Sequence, residues 1–196
     1  MATRAPDPRG ARSRALLYDA ATALFAERGF AATTMDDVAQ RAGLSRRTAF
    51  NHFPSKGELA VEWAARRQAA ATAAAGEPGP GDHVPDRIRA WFRALGELTD
   101  ADPDGTEQMM LGWLAALGPV HHRTPAVHRL AEWLDAGRDG GGIASTVDPG
   151  IAADLLFDAY LGAVLRWCAV PPGRRGPLTP VLEALVEQVM AGLAPR

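Results

Sequence analysis

Disulfide chemistry is missing from this chain. It holds one cysteine, Cys168, so neither an intrachain bridge nor a cysteine metal cage can form. Lysine is almost as scarce: Lys56 stands alone beside 20 arginines. With so much Ala, Gly and Pro, that bias points to a GC-rich bacterial coding sequence. No window approaches eighteen uninterrupted apolar residues, so no membrane span is expected. The first residues, Met1 to Gly10, lack the apolar stretch of a signal peptide. Together these absences predict a reducing, cytoplasmic location.

Strand-type alternation, internal repeats and long low-complexity segments are also missing. So are the motifs of catalysis: no zinc-protease helix, phosphate-cradling glycine loop, nucleophile elbow or paired histidine–carboxylate site occurs. The run Gly140-Gly141-Gly142 precedes no lysine and reads as loop. His121, His122 and His128 lack a matching carboxylate or cysteine set and read as loop or surface residues. No catalytic residue, metal or cofactor is expected. A small helical enzyme is the competing reading from another class; an architectural protein without an effector is a third.

With 47% apolar residues the chain can bury a core. Its net charge of −2 hides an asymmetry. Residues 1–67 hold 11 Lys/Arg against 7 Asp/Glu, whereas residues 68–196 hold 10 against 16. A basic front and an acidic rear suit a protein that presents one end to a polyanion.

The periodicity is helical throughout. Leu17, Ala21, Leu24 and Phe25 predict a first helix from about Arg12 to Arg28, stopped by Gly29. Thr34 with Asp37 forms a capping box for a second helix, whose inner face is Met35, Val38, Ala39 and Ala42. Gly43 makes a turn and Ser45 caps a third helix, with Ala49 and Phe53 inward and Pro54 at its end. Ser55 and Glu58 open a fourth helix that continues through Trp63 into Ala69–Ala75. Residues 76–85 are too rich in Gly and Pro for regular structure.

Beyond them lie further apolar stripes: Ile88, Trp91, Phe92, Leu95 and Leu98; Met109, Met110, Trp113, Leu114 and Leu117; Val127, Leu130, Ala131 and Leu134. Asp148-Pro149 and Thr179-Pro180 open the last two helices, about 149–169 and 180–193. Both are apolar on more than one face. Such helices bury one side in the core and another against a second subunit. The fold class is therefore all-α. The expected domains are a flexible arm (1–10), a helix-turn-helix domain (11–54), a connecting helix (55–75), a linker (76–85), and a second, dimerising helical domain (86–196).

In a helix-turn-helix the start of the second helix meets base edges. Here that start carries Arg46 and Arg47, whose forks match O6 and N7 of guanine. Phe50 and Asn51 follow one turn later. Phe50 can touch a thymine methyl; Asn51 can reach an adenine or a phosphate. Thr48 and His52 flank this face as phosphate ligands. Lys56 and Thr34, each at the start of a helix, offer anion contacts of the same kind.

Three runs carry a family pattern: Leu24-Phe25-Ala26-Glu27-Arg28-Gly29-Phe30, Val38-Ala39-Gln40-Arg41-Ala42-Gly43-Leu44-Ser45 and His52-Phe53-Pro54-Ser55-Lys56. With them, the stretch from about Leu17 to Leu59 resembles the N-terminal domain of TetR-family transcriptional repressors. The resemblance implies an all-α homodimer of nine or more helices per subunit, with a three-helix DNA domain in front and a ligand-binding, dimerising domain behind. It assigns base reading to Arg46, Arg47, Phe50 and Asn51. It assigns phosphate contacts to Thr34, Thr48, His52 and Lys56. Phe50 stands where the family commonly has tyrosine, and Ala49 where it often has a larger aliphatic residue.

The rear of the chain resembles that family only loosely. Trp91, Met109, Met110, Trp113, Trp133, Phe157, Tyr160 and Trp167 are candidates to line an apolar effector pocket. Residues of these types at helical spacing are more often ordinary core. The expected partners are a double-stranded palindromic operator, a small and largely apolar effector, and a second copy of the chain. An effector that prefers one spacing of the two reading helices would release the DNA, with the fourth helix as lever.

Overall fold

The computed structural model describes residues 8–76, 83–117, 124–140 and 142–195. Among them the regular structure is helical and no strand occurs. In chain order the helices are α1 (Pro8–Arg28), α2 (Met35–Arg41), α3 (Arg46–His52), α4 (Lys56–Ala75) and α5 (Val84–Ala101). They continue with α6 (Pro103–Leu117), α7 (Pro125–Asp139), α8 (Pro149–Cys168) and α9 (Thr179–Leu193), with a 3-10 turn at Pro172–Arg174 before α9. The expected all-α class is what the chain adopts.

α1 already covers residues 8–11, ahead of the expected start at about Arg12. Residues 8–10 of the expected arm are therefore helical, and residues 1–7 lie outside the described residues. Of the expected linker, Gly76 (φ +79°) ends α4, while residues 77–82 lie outside the described residues. His121 and His122 do too.

The chain forms two compact units. The first takes in residues 1–64 and 104–119; the second takes in 65–103 and 120–196. Sequence order alone would put α6 with the helices around it, but it belongs to the first unit. α4 is continuous, with residues 56–64 in the first unit and the remainder in the second.

The core of the first unit is built on Leu17, Phe25, Phe53 and Leu59, all at 2% exposure or less. Fully burying such a side chain stabilises by roughly 1.5–3 kcal/mol. α6 packs onto this core through glycine. A Cβ on Gly112 would lie 2.3 Å from the Phe30 ring, and one on Gly57 would lie 2.6 Å from Cβ of Ala116. The Gln108 side chain also accepts the Phe30 N–H at 2.8 Å.

In the second unit α5 runs against α9, and α7 against α8. Gly96 lets α5 approach closely, since a Cβ there would meet Cα of Thr179 at 2.7 Å. Asp100 of α5 caps α9 from a distance, accepting the Leu178 N–H at 2.6 Å and the Thr179 N–H at 3.0 Å. Arg89–Glu187 and Arg93–Glu183 pairs cross the same two helices at 2.6 and 2.5 Å. Among the described residues no helix is long and apolar enough to cross a membrane.

Candidate nucleic-acid interface

The reading helix is short, and its neighbours hold it. α2 begins in a complete capping box. The Thr34 hydroxyl accepts the Asp37 N–H at 3.2 Å, and the Asp37 carboxylate accepts the Thr34 N–H at 2.8 Å. The carboxylate also accepts the Thr34 hydroxyl and pairs with Arg28 at 2.7 Å. These bonds, the hydroxyl's foremost, hold the Asp37 carboxyl down at about 2. Arg41 forks onto Glu27 at 2.6 and 2.9 Å, tying the end of α2 to α1 and lowering the Glu27 pKa.

Gly43, at φ +66°, makes the turn where a Cβ would strain the backbone. Ser45 then caps α3: its hydroxyl accepts the Thr48 N–H at 3.1 Å and pairs with the Thr48 hydroxyl at 2.8 Å. Ala49 and Phe53 are fully buried, which sets the face of α3 that points inward. The small Ala49 fits where α3 lies against α1 and α2. The far end of α3 is fixed by Arg14, which donates to the His52 carbonyl at 3.0 Å, pairs with Glu62 at 2.8 Å and stacks 4.2 Å over the Phe53 ring.

What remains outside is the expected reading face. Arg46, Arg47, Phe50 and Asn51 are exposed together on α3. Arg46 is 71% exposed, yet it is not loose. Its Nη1 pairs with Asp36 of α2 at 2.9 Å, and its guanidinium lies 5.4 Å from the Phe50 ring centre.

The expected phosphate residues differ in what they already hold. Thr34 is exposed at the head of α2, with its hydroxyl in the capping box. Thr48 and His52 are half-buried on α3. The Lys56 ammonium lies against carbonyls: it donates to Phe30 at 2.8 Å, Thr33 at 3.1 Å and Ala31 at 3.2 Å, and sits 4.5 Å from the Phe30 ring centre. An ammonium has three donors, and all three are used here. Lys56 thereby pins the start of α4 to the α1–α2 turn.

The eight pocket candidates divide between the two units. Met109, Met110 and Trp113 are buried on α6 in the first unit. In the second unit Trp91, Phe157 and Tyr160 join Phe92, with ring centres 5.2–6.3 Å apart. Burial pushes the Tyr160 hydroxyl up to about 12. Trp91 donates to the Thr72 hydroxyl at 3.2 Å. Trp167 donates to the Gly176 carbonyl at 2.7 Å, with Arg175 stacked 4.5 Å over its ring. Trp133 is buried with its indole N–H unpaired.

Sequence reasoning missed Arg14, Asp36, Gln108 and Gly112. Arg14 and Gln108 act on partners 38 to 78 residues away, and no local pattern signals that. Asp36 could have been flagged as an acidic residue preceding a basic helix start. Among the described residues no group of three or more His, Cys, Asp or Glu is placed to hold a metal ion.

Residues 17–62 match the sequence profile of the bacterial regulatory proteins of the tetR family. The chain is 28% identical to the HTH-type transcriptional repressor KstR of Rhodococcus jostii (strain RHA1) over 180 residues, covering 90% of this chain and 82% of that one. It is 27% identical over 169 residues to the HTH-type transcriptional repressor SCO4008 of Streptomyces coelicolor, covering 86% and 83%. In structure it is similar to Thermus thermophilus FadR, a TetR-family transcriptional repressor in complex with lauroyl-CoA. The TM-score is 0.73 at 27% identity, covering 93% of this chain and 96% of that one.

Proposed function

Because the chain belongs to the TetR family of transcriptional regulators, we propose that it is a cytoplasmic repressor released from a palindromic operator by a small, largely apolar effector. The family makes it a DNA-binding regulator and not an enzyme. The observation that carries the proposal is the face of α3. Ala49 and Phe53 are buried on one side, while Arg46, Arg47, Phe50 and Asn51 stand outside together on a helix braced at both ends.

Arg46 and Arg47 read guanine, Phe50 meets a thymine methyl, and Asn51 meets an adenine edge or a phosphate. Thr34, Thr48 and His52 hold phosphates around them. Lys56 serves the same surface by fixing where α4 begins.

Two copies are needed to place two such helices about one DNA turn apart, roughly 34–36 Å. The proposed dimer face is on α8 and α9. There Ile151, Leu155 and Val181 are 70%, 53% and 48% exposed, although both helices are buried on their other sides. Exposed aliphatic side chains on two otherwise buried helices are what a contact with a second copy would cover.

The aromatic cluster of the second unit is the proposed effector region, and lauroyl-CoA, held by the Thermus thermophilus relative, is the first compound to test. α4 is the proposed lever, with a coupling of about 1–3 kcal/mol. The test uses duplexes flanking the protein's own gene. Tight binding by a dimer to one inverted repeat, weakened by lauroyl-CoA, whose acyl chain is apolar, or by a wholly apolar compound, is expected. Ala70→Pro should break α4 at an exposed position and abolish release while effector binding persists. Normal release from that variant would refute the lever.

A further inference from the structure

We infer that Asp36 is a specificity-determining residue that orients Arg46 across the α2–α3 turn, an inference resting on the reading of α3 as the DNA-reading helix. As an acidic residue in the first turn of α2, Asp36 suits the helix dipole, but so would a glutamate or a neighbouring acid, and that does not account for its partner. The α2 cap is already complete with Thr34 and Asp37, and Asp36 is 54% exposed. A carboxylate on a face that approaches phosphates repels every duplex alike. What Asp36 does hold is the leading arginine. It takes one of the five N–H donors of Arg46 at 2.9 Å, and the Phe50 ring flanks the guanidinium at 5.4 Å. Arg47, its neighbour, has no such ion pair among the described residues.

The two arginines therefore differ. Arg46 reaches the groove with its fork oriented by the carboxylate on one side and the ring on another. Arg47 is free to follow whichever phosphate or base is near. In water an exposed pair of this kind contributes little. Once DNA excludes solvent the same pair strengthens, because the local dielectric falls. The repulsion then acts on all sequences, whereas the orientation helps only the duplex whose guanine meets the oriented fork. Asp36 raises discrimination at the expense of general affinity.

The experiment selects bound duplexes from a library randomised around the operator, using the full-length wild type, Asp36→Ala, Asp36→Asn, Arg46→Ala and Asp36→Ala/Arg46→Ala. Affinities for the best site and for an unrelated duplex are measured alongside. Thermal melting confirms that each variant is folded.

Asp36→Ala is expected to bind unrelated duplex more tightly and to lose about tenfold in the ratio of specific to unrelated affinity. The base profile should flatten at the pair that Arg46→Ala also flattens. Asp36→Asn keeps an acceptor oxygen without the charge, so it should keep most of the profile while still gaining unrelated affinity. In the Arg46→Ala background, removing Asp36 should leave the profile unchanged. The inference is overturned if Asp36→Ala keeps the wild-type profile and ratio, or alters the profile equally without Arg46. If Arg46→Ala itself keeps the wild-type profile, or the wild type shows no preference, the reading of α3 fails and this inference with it.

Discussion

The two units of this chain differ in the faces that matter for partners: an arginine-bearing helix in the first, aliphatic side chains on α8 and α9 in the second. The first turns arginine and asparagine outward from a helix whose other side is fully buried, and polar bonds to named partners brace both ends of that helix. The second turns isoleucine, leucine and valine outward and keeps its aromatic rings inside. A surface that reads a nucleic acid must hold donors to within fractions of an ångström, so its supports are hydrogen bonds with fixed directions. A surface that meets another copy, or a cavity that takes an apolar guest, is set by volume and area, which many side-chain combinations satisfy. The first unit is accordingly where a family profile matches, over residues 17–62.

If the division of labour is real, damage to one unit should leave the other's job recognisable. Trp91→Ala removes a ring that is 1% exposed at the centre of the aromatic cluster. It should destabilise by about 3–5 kcal/mol in urea unfolding, while the folded fraction keeps its DNA base preference. A changed base preference would break the comparison.

The pH dependence sharpens it further. Burial raises the Tyr160 hydroxyl to about 12 from an ordinary 10.0. Below the ordinary value the phenol is neutral in both folded and unfolded chains. As pH rises from about 10 to 12 the unfolded chain ionises first. Stability therefore falls through that window, by about 2–3 kcal/mol in all. Denaturant titrations across it should show the decline in the wild type and its loss in Tyr160→Phe.

In the first unit the titration runs the other way. Asp37 is held at about 2 from an ordinary 3.8, so its stabilisation of the α2 cap is full at neutral pH and disappears as acid takes the solution down through about 2. Thr34→Ala removes that cap at all pH values. It should destabilise by about 1 kcal/mol, the smallest of these effects, and should blunt the acid transition.

What could be read from the chain before folding follows the same line. The helix-turn-helix was legible because its determinants are neighbours. Thr34 and Asp37, Gly43, Ser45 and Thr48, and Ala49 and Phe53 all act within one or two helical turns. The helical state of residues 8–11 was not legible, since Pro8 and Gly10 look like helix breakers. The braces from Arg14 and Gln108 were invisible, because their partners lie in other helices. The role of Lys56 was obscured for the same reason: it is the fold that brings three carbonyls of the α1–α2 turn to its ammonium. The membership of α6 in the first unit depends on Gly112 and Gly57, whose value lies in what approaches them. Apolar periodicity located the rear helices, but it cannot separate a ring that packs from a ring that binds.

The most direct test of the central claim compares the wild type with Arg46→Ala/Arg47→Ala on the protein's own upstream duplex and on an unrelated one, across a series of salt concentrations. The claim predicts that the double variant stays folded and still binds both duplexes in a salt-dependent way, but loses at least about a hundredfold in preference between them. An unchanged preference would contradict it.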